Sequence, residues 1–350
     1  MRFISSPFRL VLVCALGLVV AVPGSSAAHG TQAKAQFVVG FSNPTGASAS
    51  LNATQAATIA LGKHLGFKVI ALDAQLNVQK QVSDINQFIA QKVNAIIVFP
   101  LAPSTLNPAL ARAQKAGIKI VGWDALQTPP ATGASIAPYN ADMDQGLSFG
   151  GAQKLVNLVG SSLHRQGNVL GVGLGAPVPS IAFQVKQYQK LLATSFPKMK
   201  WLGTVENPTD DIAGGEKVVS QAATRFHNGI NAVLSYNDNS SLGAAVALRN
   251  AGIKNPILVG EGGTPDAIAG VKNGQITATI DIVPWRQGLI LATLAEKLMT
   301  GKSVPKWVEN PVDLYTKANV SKYTGWDTAV KKITAGTLTC ANGGCPSSIS

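Results

Sequence analysis

Charge is scarce in this chain of 350 residues: Asp, Glu, Lys and Arg together make up 13%, and acids are the rarer kind, 17 against 29 Lys and Arg. A net charge of +12 would suit a nucleic-acid binder. The basic residues are scattered over polar helix faces with no aromatic-basic cluster beside them, so they read as solvated surface and no nucleic-acid partner is expected. Cysteine is scarcer still. Cys14 falls inside an apolar run behind Val13, which argues against lipid attachment, and Cys340 and Cys345 are the pair left to a mature chain. In an oxidising compartment they can close a small surface loop. His29, His64, His164 and His227 show no paired spacing, so neither a metal site nor a cofactor is expected. Catalytic signatures are missing too: there is no G-x-S-x-G elbow, no H-E-x-x-H and no Walker loop. The glycine-rich run 171–176 fits a dinucleotide fingerprint loosely, but Pro177 and Pro179 break the helix start and no acid follows at the distance a ribose contact requires. An enzyme is not expected.

The apolar run 10–22 is too short to span a membrane, which takes roughly 20 residues. Arg2 and Arg9 precede it, and Pro23, Gly24 and the small residues 25–28 follow. That is the layout of a cleavable secretory signal over residues 1–28, and it predicts a soluble exported protein.

What is present is a repeat. Short apolar runs at 69–72, 95–99 and 118–121 alternate with one-sided helices, one carrying Val82, Ile85, Phe88 and Ile89 inward and Asp84 outward, the next beginning with Asn107 as cap and Pro108 in first position. Continuous apolar strands alternating with amphipathic helices predict a parallel sheet covered on both faces. A second series follows: a helix over 143–159, then strands at 168–172, 201–205, 232–236, 257–260 and 277–280, with Thr264 and Pro265 starting one helix. The expected fold is α/β, two similar doubly wound parallel-sheet lobes, each large enough for its own core. Such sheets collect ligands at the carboxyl ends of their strands. Asp124, Asn237, Glu261 and Asp281 stand there, with Gln184 and Asp210 as further candidates and Trp123 and Trp285 as stacking platforms. Paired acids and amides with an apolar face suit neighbouring hydroxyls. The competing readings are helix capping for the polar groups, with Asp238 the favoured cap over Asn237, and plain packing for the tryptophans.

The stretches 69–100 ("VIALDAQLNVQKQVSDINQFIAQKVNAIIVFP") and 232–263, with "AGIKIVGWDA" and "NPVDLYTKANV", resemble the periplasmic sugar-binding proteins of the ribose-binding type, extracytoplasmic receptors of ABC importers. The resemblance runs to about residue 320. It implies the type I periplasmic binding protein fold, with three hinge crossings, placed near Tyr139, Ile282 and Asp313, and a ligand in the cleft. The implied division is 36–139 plus 283–313 for the N-terminal lobe, 140–282 plus 314–330 for the C-terminal lobe, and an irregular tail over 331–350. It implies a monomer that delivers a monosaccharide or polyol to an ABC permease; a receptor reporting to a sensor protein, or one recognising an amino-bearing small molecule, is the alternative. Asp124 matches the family's hydroxyl-gripping aspartate, and Asn237 and Asn43 match its asparagines. Thr45 and Gly46 replace an aromatic pair, Ala125 replaces an arginine, Glu261 and Gly262 replace an aromatic-aspartate pair, and Ile282 stands where glutamine is common.

Overall fold

The computed structural model describes residues 36–349 apart from Pro177. The expected signal sequence lies outside the described residues.

Strands β1 (Phe37–Asn43), β2 (Phe67–Asp73), β3 (Ala95–Val98), β4 (Lys119–Trp123) and β5 (Ala141–Asp144) build the first sheet. They alternate with helices α1 (Ala49–Leu65), α2 (Val78–Ala90) and α3 (Pro103–Lys115). In the second series, α4 (Ala152–Ser162), α5 (Pro179–Ser195), α6 (Ile212–Arg225), α7 (Asp238–Asn250) and α8 (Pro265–Asn273) alternate with β6 (Gly167–Leu174), β7 (Met199–Asn207), β8 (Ala232–Ser235), β9 (Ile257–Gly262) and β10 (Ala278–Asp281). Then come α9 (Pro284–Met299), β11 (Trp307–Glu309), β12 (Asp313–Thr316) and α10 (Trp326–Thr334). The two six-stranded sheets share one plan, β2-β1-β3-β4-β5-β11 and β7-β6-β8-β9-β10-β12. All pairs of the first are parallel, whereas β12 closes the second antiparallel to β10. This is the doubly wound α/β pair expected.

Apolar strands flanked by helices on both faces give each lobe two core layers. One holds Phe41, Ile97, Trp123, Leu291 and Leu294, and its opposite face holds Ile85, Phe88, Ile96 and Leu110. The second lobe repeats this with Leu170, Val233 and Leu248 on one face and Val169, Tyr188 and Leu234 on the other.

Several local expectations change. Residues 141–144 are a strand, not the start of a helix: alternating Asp142 and Asp144 face loops while Met143 enters the core, a period of two that the following helix pattern obscured. Helix α3 begins at Pro103, leaving Pro108 inside it. The missing bond falls near the exposed Ser104, where water can serve its carbonyl. Asp84 is buried and paired with Lys80 Nζ at 3.2 Å. The tail expected to be irregular carries structure of its own. Helix α10 buries Ala329 and Ile333, the latter in the core of lobe one, and Cys340 and Cys345 form a disulfide beyond it.

Chain crossings between the lobes lie at 145–146, 282–283 and 310–312, between the elements above. The first thus follows β5, since residues 141–144 pair with β4 and β11. Asn310 gathers all three: its backbone N–H donates to Asp144 O (2.9 Å), and its amide donates to Ile282 O (2.8 Å) and Gln145 O (3.4 Å). Gly146 adopts φ +80°, and a Cβ there would overlap Asn310 O, so only glycine fits this crossing.

Candidate functional site

The carboxyl ends of β4 and β9 occupy equivalent places in the two sheets, and the cleft chemistry divides between them. Beyond β4, Asp124 takes a left-handed backbone (φ 57°) that Asp tolerates, turning its carboxylate away from the strand. It is half-buried. Its Oδ1 accepts a long bond from Gln145 N–H (3.5 Å), and the Ser180 hydroxyl, at the start of α5 in the other lobe, also donates to it. Burial, then the Asp142 charge, pushes Asp124 up to about 7 against those two donors. Asp142 is raised to about 7, chiefly by burial, while its oxygens accept Ala125 N–H (3.0 Å) and Leu126 N–H (3.1 Å). Asp144 is raised to about 8 by burial and by Asp124, and accepts Gly146 N–H at 2.7 Å. Three acids therefore crowd this edge, of which Asp142 and Asp144 are buried and Asp124 is partly exposed.

At the end of β9 the carboxylate is closed in. Glu261 is 3% exposed, accepting Tyr188 O–H and Gln184 Nε2–H, both at 2.5 Å. Gln184 also reaches Tyr236 O (3.3 Å). Burial raises Glu261 well above the ordinary carboxylate range. The structure thus brings Gln184 and Glu261 together, as partners of each other.

The remaining sequence candidates separate. Asn43 is buried, its Oδ1 holding Thr45 N–H (3.2 Å) and its amide donating to Gln55 Oε1 (3.1 Å). Asn237, and not Asp238, is the N-cap of α7, accepting Ser240 N–H at 2.9 Å while its amide donates to Asp210 Oδ1 at 2.6 Å. Asp238, one residue inside the helix, instead accepts from Thr264 N–H (2.8 Å), Thr264 Oγ1 (3.0 Å) and Thr279 Oγ1 (2.6 Å). Asp281 caps the second crossing through Val283 N–H (2.8 Å) and accepts the Trp326 indole N–H (3.1 Å). Trp123 is core, fully buried against Phe41 and Phe99, with its indole N–H on Gln287 Oε1 (2.9 Å). Trp285 stays half-buried with the Arg286 guanidinium 5.1 Å from its ring centroid.

Sequence reasoning passed over Asp142, Asp144 and Ser180, and although it singled out Asp210 it missed the direct bond from the Tyr236 hydroxyl to that carboxylate. It also missed the half-buried pair Phe149 and Phe183, 5.9 Å apart, which joins the π-helical turn Leu147–Gly151 to α5. The alternation of Asp142, Met143 and Asp144 was the available signal. A surface depression of about 470 Å³, lined by Phe37, Asn94, Lys119 and Met299, lies at the opposite, amino-terminal end of the first sheet. That is away from the strand ends where such folds hold ligands.

Two lobes of one plan, joined through three strands at the base of facing strand ends, define a type I periplasmic binding architecture. The chain belongs to the periplasmic binding protein family, whose domain model matches residues 39–303. Among curated relatives, it is 27% identical to the ribose import binding protein of Bacillus subtilis, over 73% of this chain and 79% of that protein. It is 28% identical to the xylitol-binding protein of Mycolicibacterium smegmatis, over 71% and 68%. Among solved structures, an ABC transporter periplasmic solute binding protein of Actinobacillus succinogenes with bound D-allose superposes with a TM-score of 0.73 at 23% identity, covering 82% of this chain and all of that one. One from Bacillus halodurans with bound myo-inositol gives 0.70 at 22%, covering 82% and 97%.

Proposed function

We propose that the protein is an extracytoplasmic receptor that closes around a monosaccharide or polyol and delivers it to an ABC permease. Family membership supports the receptor role, and relatives named for ribose and xylitol support the ligand class. The observation that carries the reading is Asp124: a half-buried carboxylate at a strand's carboxyl end, with the opposite lobe's Ser180 beside it. An ionised carboxylate accepts from two adjacent hydroxyls at once, which is how a polyol edge is gripped. Phe149, Phe183 and Trp285 offer apolar faces for the ring. Closure follows because each lobe carries part of the contacts and only the closed state makes all of them.

A second reading is favoured by the crowding of acids: none of the ion pairs among the described residues engages Asp124, Asp142 or Asp144. An amino-bearing ligand would compensate that charge. A thermal-shift screen pairing each neutral sugar or polyol with its amino counterpart separates the two. A true ligand at one hundred times its dissociation constant stabilises by about 2.7 kcal/mol. Absence of any shift across ribose, allose, xylitol, myo-inositol and their amino forms would sink both readings.

A further inference from the structure

We propose that the C-terminal segment is a strap restraining separation of the lobes, and that Trp326 is the positioning residue that ties it to the hinge. The chain is anchored first on lobe two. Val320, in the short 3-10 turn after β12, is buried in that lobe's core. Tyr323 donates its hydroxyl to Gly263 O (3.2 Å) and meets Tyr315 edge-on at 5.4 Å. Three residues later α10 starts at the hinge, and its far end packs on lobe one. Ile333 is fully buried in that lobe's core, and the His64 ring bonds Thr334 O at 3.0 Å. The disulfide loop then seats on α9, where Cys340 is buried and in contact with Thr293 Oγ1 at 3.0 Å. Ile349 is 1% exposed, and Lys297 Nζ donates to its carbonyl at 2.8 Å.

Only Thr324 and Gly325 separate Tyr323 from Trp326 at the hinge, and α10 itself carries the chain from there to Ile333 in the lobe-one core. The flanking backbone is already drawn out, with Tyr323 at φ −60°, ψ 130° and Gly325 at φ −59°, ψ 141°. From Tyr323 to Trp326 the chain reaches at most about 11 Å when fully extended, so there is little slack to release. The strap is also fastened to the hinge. The Trp326 indole N–H bonds Asp281 Oδ1 at 3.1 Å, and the same oxygen caps Val283 N–H at the second crossing. Lying beside the hinge, the strap limits how far the lobes swing and does not forbid opening. It is a fourth connection added to the three that the fold requires.

The inference rests on the two-lobed hinge but not on the ligand, so it is tested without one. Spin labels at Lys115→Cys and Lys254→Cys, both exposed and far from the strand carboxyl ends, report the interlobe distance of the oxidised protein. Trp326→Phe keeps an aromatic ring at the buried position and removes the N–H with part of the ring's volume, and a chain ending at Thr324 removes the strap. The expected result is a shift of the distance distribution toward longer separations in both, larger for the truncation, with the melt still cooperative. A residue that merely stabilised α10 would lower the melting temperature without moving that distribution. If the truncated chain does not melt cooperatively, Trp326→Phe alone decides. Distributions matching the parent's in every folded variant overturn the strap.

Discussion

Asp124 and Glu261 end topologically equivalent strands, yet one carboxylate is half open and the other is sealed. The difference lies in the helix that follows each lobe's first strand. In lobe two that position is filled by α5, whose Gln184 and Tyr188 reach inward and saturate Glu261. In lobe one, α1 presents Asn52 and Gln55, which are spent on Asn43. Asp124 is left with a long backbone bond and a serine from across the cleft. Elsewhere the halves agree. Asp144 and Asp281 each accept the backbone N–H two residues on at their crossings, the side-chain turn that Asp favours. Asp142 and Thr279 each hold a loop N–H of the neighbouring strand. A strand-end acid is therefore open to a ligand, the role proposed for Asp124, only where the adjoining helix leaves it unsatisfied.

The contrast breaks most visibly at Glu261. Glu261→Ala should lower stability by about 3 kcal/mol, because it strands the buried Tyr188 O–H, an unmet donor costing about 1–3 kcal/mol, and leaves the Gln184 amide with only Tyr236 O and the Tyr188 oxygen. Chemical denaturation measures this, and a loss below that of a single exposed bond would show that the network is not closed. Asp124→Ala should leave stability nearly intact and weaken ligand binding on the order of a hundredfold, since bonds to a charged group contribute about 1.5–3 kcal/mol each. Calorimetric titration of both variants decides. Parent-like affinity in Asp124→Ala would remove Asp124 from the site.

The acids also make the first lobe's edge respond to pH. Asp124 and Asp142 are raised to about 7 and Asp144 to about 8, against an ordinary value of 3.8. A raised carboxylate favours the folded state fully below its unfolded value, and that contribution is lost as pH climbs through the folded values. Stability should therefore decline from about pH 4 to about pH 8. Asp124→Asn should flatten that decline, because it removes one of the titrating groups and relieves its neighbour Asp144. A melting temperature that rises over the same window in the parent would contradict it.

The alternation of apolar strands with one-sided helices made the two sheets legible, because periodicity reports burial directly. Thr264 with Pro265 marked the α8 start correctly, since cap chemistry is local. What escaped were features set by partners remote in sequence. Residues 141–144 form a strand only because β4 and β11 flank them, and β11 comes after the whole second lobe in the chain. Gln184 and Glu261 were legible as polar residues near the cleft, but that they satisfy each other across 77 positions was not. Asp124 stood out because its neighbour is a loop, so no helix start competed for its carboxylate.

The smallest effect falls at Asn237, where capping and ligand contact competed from the outset. Its Oδ1 is committed to Ser240 N–H and its amide to Asp210, so both polar atoms have internal work. If capping is the whole of it, Asn237→Ala should lower stability by about 1 kcal/mol, and Asn237→Ser, which caps nearly as well, should restore most of that. Affinity should stay near the parent's in both. The alanine variant alone cannot separate the roles, because a frayed α7 would also loosen the cleft edge. Serine can: it keeps the cap but withdraws the amide and shortens the reach. A serine variant of normal stability that binds ligand several-fold more weakly would return Asn237 to the binding site and leave its cap as a secondary duty.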